Sequence, residues 1–290
     1  MAGNVKQTVQ WFPGHMAKTR RKIEESMKLV DGVIEIADAR VPESSRNPEL
    51  ETLRGEKPVL LLLNKADLAD KVATDRWIEW YESHGIPAMA VDCRSGKGLN
   101  KIQTKSNEVW AERLKRHEEK GMSGRALRLM VVGIPNTGKS SFINRLCGGK
   151  RTKVGDRPGV TRTNQWVVTK QGSELLDTPG VLWPKFEDPE VGDKLAFIGS
   201  VKSEVLDVET MAVRLLEFLK GPYGNRIQER YKLSDGATSL PPYELLIEIG
   251  RKRGMLISGG EVDTERAANM LLDEYRSGKL GRLTLEWPED

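Results

Sequence analysis

The sequence predicts an α/β protein with a mainly parallel sheet, followed by a small all-α domain. Short apolar, β-rich runs alternate with helical patterns in the first part of the chain, which is typical of parallel sheets. Beyond about residue 203 the β pattern disappears and amphipathic helical spacing replaces it. At 290 residues the chain is long enough for two domains, which we expect at 1–203 and 204–290.

Each predicted strand is a short apolar run bounded by turn-forming residues. The last two strands are separated by Gln171-Gly172, which predicts a hairpin and therefore one antiparallel strand. Strands are expected at 32–38, 58–64, 87–92, 127–133, 165–170 and 173–177. Helices are expected near 16–30, 43–55, 74–84 and 98–120, from Lys139 onward, and in the tail at 204–220, 242–251 and 264–277.

The composition indicates a cytoplasmic globular protein without a membrane segment. Hydrophobic residues make up 38% of the chain, and the longest apolar run, 59–63, is far too short to span a bilayer. The N-terminus has no long apolar segment, so no secretory signal is expected. Two cysteines, Cys93 and Cys147, are too few for a disulfide framework and fit a reducing compartment.

Charge is unevenly distributed along a mildly basic chain, whose net charge is +4 and whose pI is near 8.9. Residues 1–22 carry five basic and no acidic side chains, and residues 139–170 carry eight basic side chains and one acidic. Such stretches permit an anionic partner such as a nucleic acid. For any single cluster, a solvated surface of mixed charge is the better explanation.

A phosphate-binding loop follows the predicted strand at 127–133. The segment 133–140 reads G-x-x-x-x-G-K-S, in which the glycines let the backbone wrap a phosphate chain at a helix N-terminus. Lys139 is expected to reach the β- and γ-phosphates and Ser140 to ligate Mg²⁺. The nucleotide-binding residues predicted here are Gly133, Pro135, Asn136, Thr137, Gly138, Lys139, Ser140 and Ser141.

A second phosphate-side motif, D-T-P-G, ends the strand predicted at 173–177. Asp177 is placed to hold the Mg²⁺ shell, and the N–H of Gly180 is suited to contact the γ-phosphate. The Gly/Pro-rich segment between the two motifs contains Thr161, which we expect to complete the Mg²⁺ ligands, with Thr163 as a competing candidate. A plain loop is the alternative interpretation of that segment.

A guanine-reading motif precedes the phosphate loop. Asn64-Lys65-Ala66-Asp67 reads N-K-x-D and ends the most apolar strand of the chain. The Asp67 carboxylate can accept both donors on the guanine edge, Asn64 can donate to N7, and the Lys65 stem can lie along the base. After the next strand, Asp92-Cys93-Arg94 stands where a backbone segment would meet guanine O6, although Asp92 could instead only cap a turn.

The order of these motifs is reversed, since N-K-x-D ordinarily follows the phosphate loop. With W-F-P-G-H-M-A-K at 11–18 and D-A-R-V-P at 38–42, the chain resembles the circularly permuted GTPases of the YlqF/YawG group. The resemblance implies a Rossmann-like P-loop GTPase domain followed by a helical RNA-binding domain. It also implies a late step in assembly of the large (50S) ribosomal subunit, with ribosomal RNA as the main partner.

The group that orients the attacking water is not the usual one. Many GTPases place Gln directly after D-x-x-G, and here that position is Val181, so the chain resembles the hydrophobic-substituted GTPases. One candidate is Asn136, which in potassium-dependent GTPases with this loop pattern helps to bind K⁺; a turn-forming role is the alternative. The other candidate is His15, for which packing or an RNA contact is the alternative.

The function expected is therefore that of a GTP-hydrolysing assembly factor, slow alone and stimulated by the subunit. GTP or GDP, Mg²⁺ and K⁺ are the expected cofactors, and the protein is expected to be a monomer that binds neither DNA nor membranes. The alternative is an RNA-binding module that uses GTP as a structural ligand with little hydrolysis, because Val181 replaces the usual Gln.

Overall fold

The structure, a computed structural model, describes residues 13–122, 124–149, 165–180, 188–201 and 207–289, with the helical backbone alone for 13–19. The described residues fall into two compact units. The sheet unit holds the described residues up to 180 together with 286–289, and the helical unit holds 188–201 and 207–285.

The sheet unit contains six described strands in one sheet. The strands are β1 Gly32–Asp38, β2 Val59–Asn64, β3 Ala88–Ala90, β4 Arg128–Val132, β5 Gln165–Val168 and β6 Glu174–Asp177. Their order in the sheet is β3-β2-β1-β4-β6-β5, and all neighbouring pairs are parallel except β5 with β6, which form the expected antiparallel pair. This arrangement confirms the predicted α/β class with a mainly parallel sheet.

Strand β2 runs through the interior, and every one of its residues is buried. Leu60 and Leu62 face a cluster that includes Phe142, whereas Leu61 and Leu63 face a cluster that includes Trp77. Burial on both faces explains the unbroken apolar run, because an alternating pattern would place polar side chains against one of the two helical layers.

The helices of the sheet unit are α1 Pro13–Met27, α2 Glu49–Arg54, α3 Lys71–Ser83, α4 Ile102–Val109, α5 Ala111–Glu119 and α6 Lys139–Cys147.

The single helix predicted at 98–120 was wrong in detail, because the structure has α4 and α5 with a break at Trp110. The Trp110 side chain is fully buried against Gly32 of β1. A Cβ at Gly32 would lie 1.8 Å from Trp110 Nε1, so the indole occupies space that only a glycine leaves open. The tertiary position of this one side chain, rather than local propensity, sets the break.

The helical unit is built from amphipathic helices. The helices are α7 Pro189–Phe197, α8 Val208–Lys220, α9 Gly224–Tyr231, α10 Pro242–Lys252 and α11 Thr264–Ser277. Helices α8, α10 and α11 pack on one another, and α7 packs on α8 and α11. Aspartates at the N-caps of α7, α8 and α11 accept backbone N–H donors from the first turn.

The unit boundary differs from the one predicted between residues 203 and 204. Helix α7 belongs to the helical unit, and residues 286–289 belong to the sheet unit. The sequence prediction missed the short helices α7 and α9, because their patterns were not distinguished from those of the neighbouring loops. In the described part of the chain no helix is long and apolar enough to cross a membrane.

Candidate nucleotide site

The loop between β4 and α6 is tightly folded against the sheet. A Cβ at Gly133 would lie 2.6 Å from the Ile36 carbonyl oxygen, so the backbone approaches closer than any side chain allows. Asn136 and Gly138 have φ of 64° and 95°, and Thr137 Oγ1 donates to the Ile134 carbonyl at 3.0 Å. The loop thus turns its backbone into the N-terminus of α6, where N–H groups and the helix dipole favour an anion.

Lys139 and Asp177 meet at the carboxyl ends of two neighbouring strands. Lys139 Nζ forms an ion pair with Asp177 Oδ1, and both side chains are buried. Burial lowers the pKa of Lys139, and the Asp177 carboxylate opposes that shift. The contact brings together the two motifs that were expected to hold phosphate and Mg²⁺.

The D-T-P-G segment lies directly against the phosphate loop. Thr178 Oγ1 donates to the Val131 carbonyl at 2.8 Å, which ties the segment to β4. A Cβ at Gly180 would lie 3.0 Å from the backbone nitrogen of Pro135. Because a side chain at Gly180 would press on the loop, glycine permits this close approach.

Asn64 joins the N-K-x-D motif to the phosphate loop and to the segment 92–94. Its Nδ2 donates to the Thr137 carbonyl at 2.6 Å, and its Oδ1 accepts from the backbone N–H of Cys93 at 3.0 Å. The Asn64 side chain is buried, so both contacts are shielded from water. The structure therefore places three segments at one edge of the sheet although their chain order is reversed.

Lys65 and Asp67 form the turn that follows Asn64. Lys65 has a φ of 59°, and its carbonyl accepts from the Leu68 N–H at 2.8 Å. Lys65 Nζ lies 3.0 Å from Asp38 Oδ2, whereas Asp67 is exposed. The exposed Asp67 carboxylate can accept hydrogen bonds from a nucleobase that presents two adjacent N–H donors. The neighbouring Lys65 side chain is held by its contact with Asp38.

The segment 92–94 forms a capped turn next to Asn64. Asp92 Oδ1 accepts from the backbone N–H of Arg94 at 2.8 Å and of Ser95 at 3.1 Å. Burial raises the pKa of Asp92, but these hydrogen bonds outweigh burial and the net pKa is lowered. The carboxylate of Asp92 thus caps the turn, which was the alternative interpretation. Burial also raises the pKa of the Cys93 thiol to about 12, so Cys93 has no thiolate character near neutral pH.

Several predicted residues cannot be placed. Thr161, Thr163 and Val181 lie outside the described residues, and His15 is described only as part of the α1 backbone. Ser140 and Ser141 lie in the first turn of α6, half-buried, directly after Lys139.

The sequence prediction did not recognise a role for Asp38 or Arg40. D-A-R-V-P was noted only as part of the resemblance, but Asp38 ends β1 beside the end of β2 and contacts Lys65. The signal was present in the sequence, since an aspartate ended the strand predicted at 32–38. Strand order was the missing information, because nothing in the sequence stated that β1 and β2 are neighbours.

The residues at this edge fit a nucleotide with Mg²⁺. The loop backbone excludes a Cβ at Gly133, and a Cβ at Gly180 would make a tight contact with Pro135. Closely packed backbone of this kind suits a phosphate cradle. The Ser140 hydroxyl and Asp177 carboxylate supply oxygen donors, which Mg²⁺ prefers. When bound, the metal would neutralise phosphate charge, while Lys139 supplies a further cation at the same edge.

Known proteins with similar sequences decide the family. A model described as "50S ribosome-binding GTPase" matches residues 128–226. Ribosome biogenesis GTPase A from Priestia megaterium is 46% identical over 284 residues, which is 98% of this chain and 98% of the relative. The chain belongs to the ribosome biogenesis GTPase A family. Mitochondrial ribosome-associated GTPase 1 from Mus musculus is 37% identical and covers 96% of this chain and 90% of its own.

The same family supplies a structural match. A crystal structure of GNP-bound YlqF from T. maritima superposes with a TM-score of 0.67 at 28% identity, covering 94% of this chain and 99% of that one. Membership of the ribosome biogenesis GTPase A family confirms the predicted P-loop GTPase fold and the resemblance to the YlqF group. The protein is a GTPase that binds GTP and GDP, usually with Mg²⁺, and acts in ribosome biogenesis with a ribosomal partner.

Proposed function

We propose that this GTPase acts in the cytoplasm at a late step in assembly of the large ribosomal subunit, binding the subunit through its rRNA. The observation that carries the proposal is the 46% identity to Ribosome biogenesis GTPase A over 98% of the chain. The contact of Asn64 with the phosphate loop at 2.6 Å supports its GTPase part. The family model that matches residues 128–226 is described by binding to the 50S ribosome. The two basic stretches at 1–22 and 139–170 are together compatible with an RNA partner, although neither indicates one alone.

Guanine recognition is assigned to the end of β2 and the turn after β3. Asp67 accepts the two donors of the guanine edge, and Asn64 donates to N7. The Lys65 stem lies along the base, and the backbone of 92–94 faces O6. The exposure of Asp67 and the fixed turns at Lys65 and Asp92 support these roles.

Phosphate binding and Mg²⁺ are assigned to the other side of the same edge. Lys139 holds the β- and γ-phosphates, and Ser140, Asp177 and Thr161 hold the metal. Gly180 offers its N–H to the γ-phosphate. The ion pair of Lys139 with Asp177 supports this assignment, since it brings both groups to the N-terminus of α6.

The positioning of the attacking water is assigned to Asn136, which acts through a bound K⁺, and His15 is the competing candidate. Asn136 holds a φ of 64° inside the phosphate loop, which fits a turn-forming role as well. Hydrolysis rates in K⁺ and in Na⁺ distinguish the two candidates when they are measured for Asn136→Ala and His15→Ala. If Asn136 acts through K⁺, its variant loses the K⁺ advantage and His15→Ala keeps it.

The proposal is tested by GTP hydrolysis with purified large or small ribosomal subunits, using Lys139→Ala as the inactive control. Large subunits should accelerate hydrolysis by the wild type about a hundredfold or more, the lower end of what one positioned catalytic group contributes, and small subunits should not. Equal rates with and without large subunits would remove the proposed stimulation. The alternative is an RNA-binding module that uses GTP as a structural ligand, and it is motivated by Val181 in the position where many GTPases have Gln. RNA binding that requires GTP but proceeds without GTP hydrolysis would favour this alternative.

A further inference from the structure

Asp38 lies at the point where two neighbouring strands end. It is the last residue of β1, and it stands in parallel register with Asn64, the last residue of β2. Its side chain is completely buried, although the edge of the sheet around it carries the nucleotide motifs. A buried carboxylate is costly unless cations and hydrogen bonds surround it, so its partners indicate its purpose.

Two cations share the Asp38 carboxylate. Arg40 donates its Nε to Oδ1 at 2.9 Å and its Nη2 to Oδ2 at 2.8 Å, which is a bidentate pair. Lys65 Nζ lies 3.0 Å from the same Oδ2. Burial would raise the pKa of Asp38, but the two cations hold it well below its usual range, so the group stays ionised.

The backbone around Asp38 is also fixed. Its N–H donates to Ser45 Oγ at 2.8 Å, and the Ala39 N–H donates to the Asn64 carbonyl at 2.8 Å. The Arg40 side chain is almost completely buried and therefore cannot move away from the carboxylate without losing its partner. Asp38 is thus fixed at its side chain by Arg40 and at its backbone by the hydrogen bond to Ser45.

Lys65 is the more exposed of the two cations that contact Asp38. Its side chain is 25% exposed, whereas the Arg40 side chain is 2% exposed, so Lys65 is the cation of the pair that a ligand can reach. Lysine carries four rotatable bonds, and fixing its ammonium before a ligand arrives removes the entropy that would otherwise be lost on binding. The 3.0 Å contact with Asp38 does this, since it fixes the far end of the stem while its backbone is fixed at a φ of 59°.

We propose that Asp38 is a positioning residue for guanine-nucleotide binding, which holds the Lys65 side chain in the orientation that receives the base. The inference rests on the proposed role of Lys65 in base binding. Arg40 completes the device, because it holds the Asp38 carboxylate in place and supplies the charge that keeps it ionised. Asp38 itself does not touch the nucleotide.

The test is a double-mutant cycle on GDP affinity, measured with a fluorescent GDP analogue on the full chain. Asp38→Asn should weaken binding about tenfold, the scale of one lost charge-assisted hydrogen bond. In the Lys65→Met background the same change should alter affinity by less than about twofold, because the group through which Asp38 acts is gone. Additive losses in the two backgrounds would overturn the inference, because Asp38 would then act without Lys65.

Loss of the Asp38 charge leaves Arg40 buried without its carboxylate, which can unfold the protein. The double variant Asp38→Asn/Arg40→Met removes both charges and is measured beside the single variant. We expect the same loss of GDP affinity, about tenfold. A loss of less than about twofold would contradict the inference. Glu35→Gln is the matched control, because Glu35 is a second buried carboxylate on β1 whose partner is Arg46, at 2.9 Å. It should bind GDP within about twofold of the wild type, and an equal loss would show that changing any buried carboxyl group of β1 has this effect.

Failure of this inference is separable from failure of the proposed function. A wild type that binds GDP, with additive effects of Asp38→Asn and Lys65→Met, contradicts the positioning role alone. A wild type that shows no preference for guanine nucleotides contradicts the guanine-binding role on which the inference rests.

Discussion

Single residues decide how closely the motifs approach one another. Gly180 lets the D-T-P-G segment press on Pro135, and Gly138 leaves room for the Asn64 amide, which would lie 2.2 Å from a Cβ there. These glycines could be predicted from the sequence, because the phosphate-loop and D-T-P-G motifs both specify glycine at these positions. The contact of Asp38 with Lys65 could not, because it depends on which strands are neighbours.

At residue scale we predict that Gly180→Ala impairs hydrolysis more than binding. The added Cβ would lie 3.0 Å from the Pro135 nitrogen, so the segment must shift away from the phosphate loop. Turnover should fall about tenfold, the equivalent of a strain near 1.4 kcal/mol, while GDP affinity changes less than about threefold.

The matched control is Gly149→Ala, whose Cβ would have no atom within 4 Å. It should keep wild-type turnover in the same steady-state GTPase assay. Wild-type turnover by Gly180→Ala would contradict the close approach seen here.

Secondary-structure elements were predicted well where one local pattern dominates. The strand at 32–38 was predicted with its observed bounds, and 264–277 likewise matches α11, because apolar runs and caps mark both ends. The break at Trp110 was missed, since it depends on the buried contact with Gly32 rather than on local sequence. Helices α7 and α9 were missed because their apolar positions are few and their lengths are 9 and 8 residues.

Within the helical unit, Glu274 joins three helices. On α11 it accepts from Arg230 Nε at 2.9 Å and from the Tyr231 hydroxyl at 3.0 Å, both on α9, and Arg253 at the end of α10 lies 3.4 Å away. Burial raises the pKa of Glu274, but the hydrogen bonds from Arg230 and Tyr231 outweigh it, so the net pKa lies below 4.5.

At element scale we predict that Glu274→Gln destabilises the protein by about 2 kcal/mol at pH 7, the value of hydrogen bonds to a charged group. A carboxyl group whose pKa is lower in the folded than in the unfolded protein stabilises the folded state. This stabilisation is fully present above the unfolded pKa of 4.5, and it is lost as the pH falls through the folded pKa. The difference between wild type and variant should therefore shrink below pH 4.5. Urea denaturation across that range measures it.

Glu229→Gln on the exposed side of α9 serves as the control for this experiment. It should change the free energy of unfolding by less than about 0.5 kcal/mol at either pH, as surface substitutions usually do. A cost of Glu274→Gln that stays constant from pH 7 to pH 3 would contradict the proposed ionisation.

At the scale of the whole molecule, chain order and spatial order are independent. The motifs for base and phosphate meet at one edge because parallel strands bring their carboxyl ends together whatever the connections between them. The chain then returns from the helical unit to the sheet unit, where Glu286 Oε2 accepts from the N–H of Glu43 at 2.9 Å and of Ser44 at 3.2 Å. The Glu286 carbonyl also accepts from Trp77 Nε1 at 3.0 Å.

We predict that Glu286→Ala destabilises the sheet unit by about 2 kcal/mol, because buried backbone donors lose a charged acceptor. Chemical denaturation followed by tryptophan fluorescence reports on this unit through Trp77, which is buried beside Glu286. Glu289→Ala, an exposed position of the same segment, is the control and should remain as stable as the wild type. If the two variants were equally stable, residues 286–289 would be peripheral to the unit.

The most direct test of the central claim is co-sedimentation with purified large ribosomal subunits in the presence of non-hydrolysable nucleotides, comparing the wild type with Asp67→Asn. The exchange of carboxylate for amide at Asp67 should move the preference from guanine to xanthine. We predict that the wild type sediments with the subunit only with the GTP analogue, and that Asp67→Asn does so only with the xanthosine triphosphate analogue. Binding of both proteins to the subunit regardless of nucleotide would contradict the account.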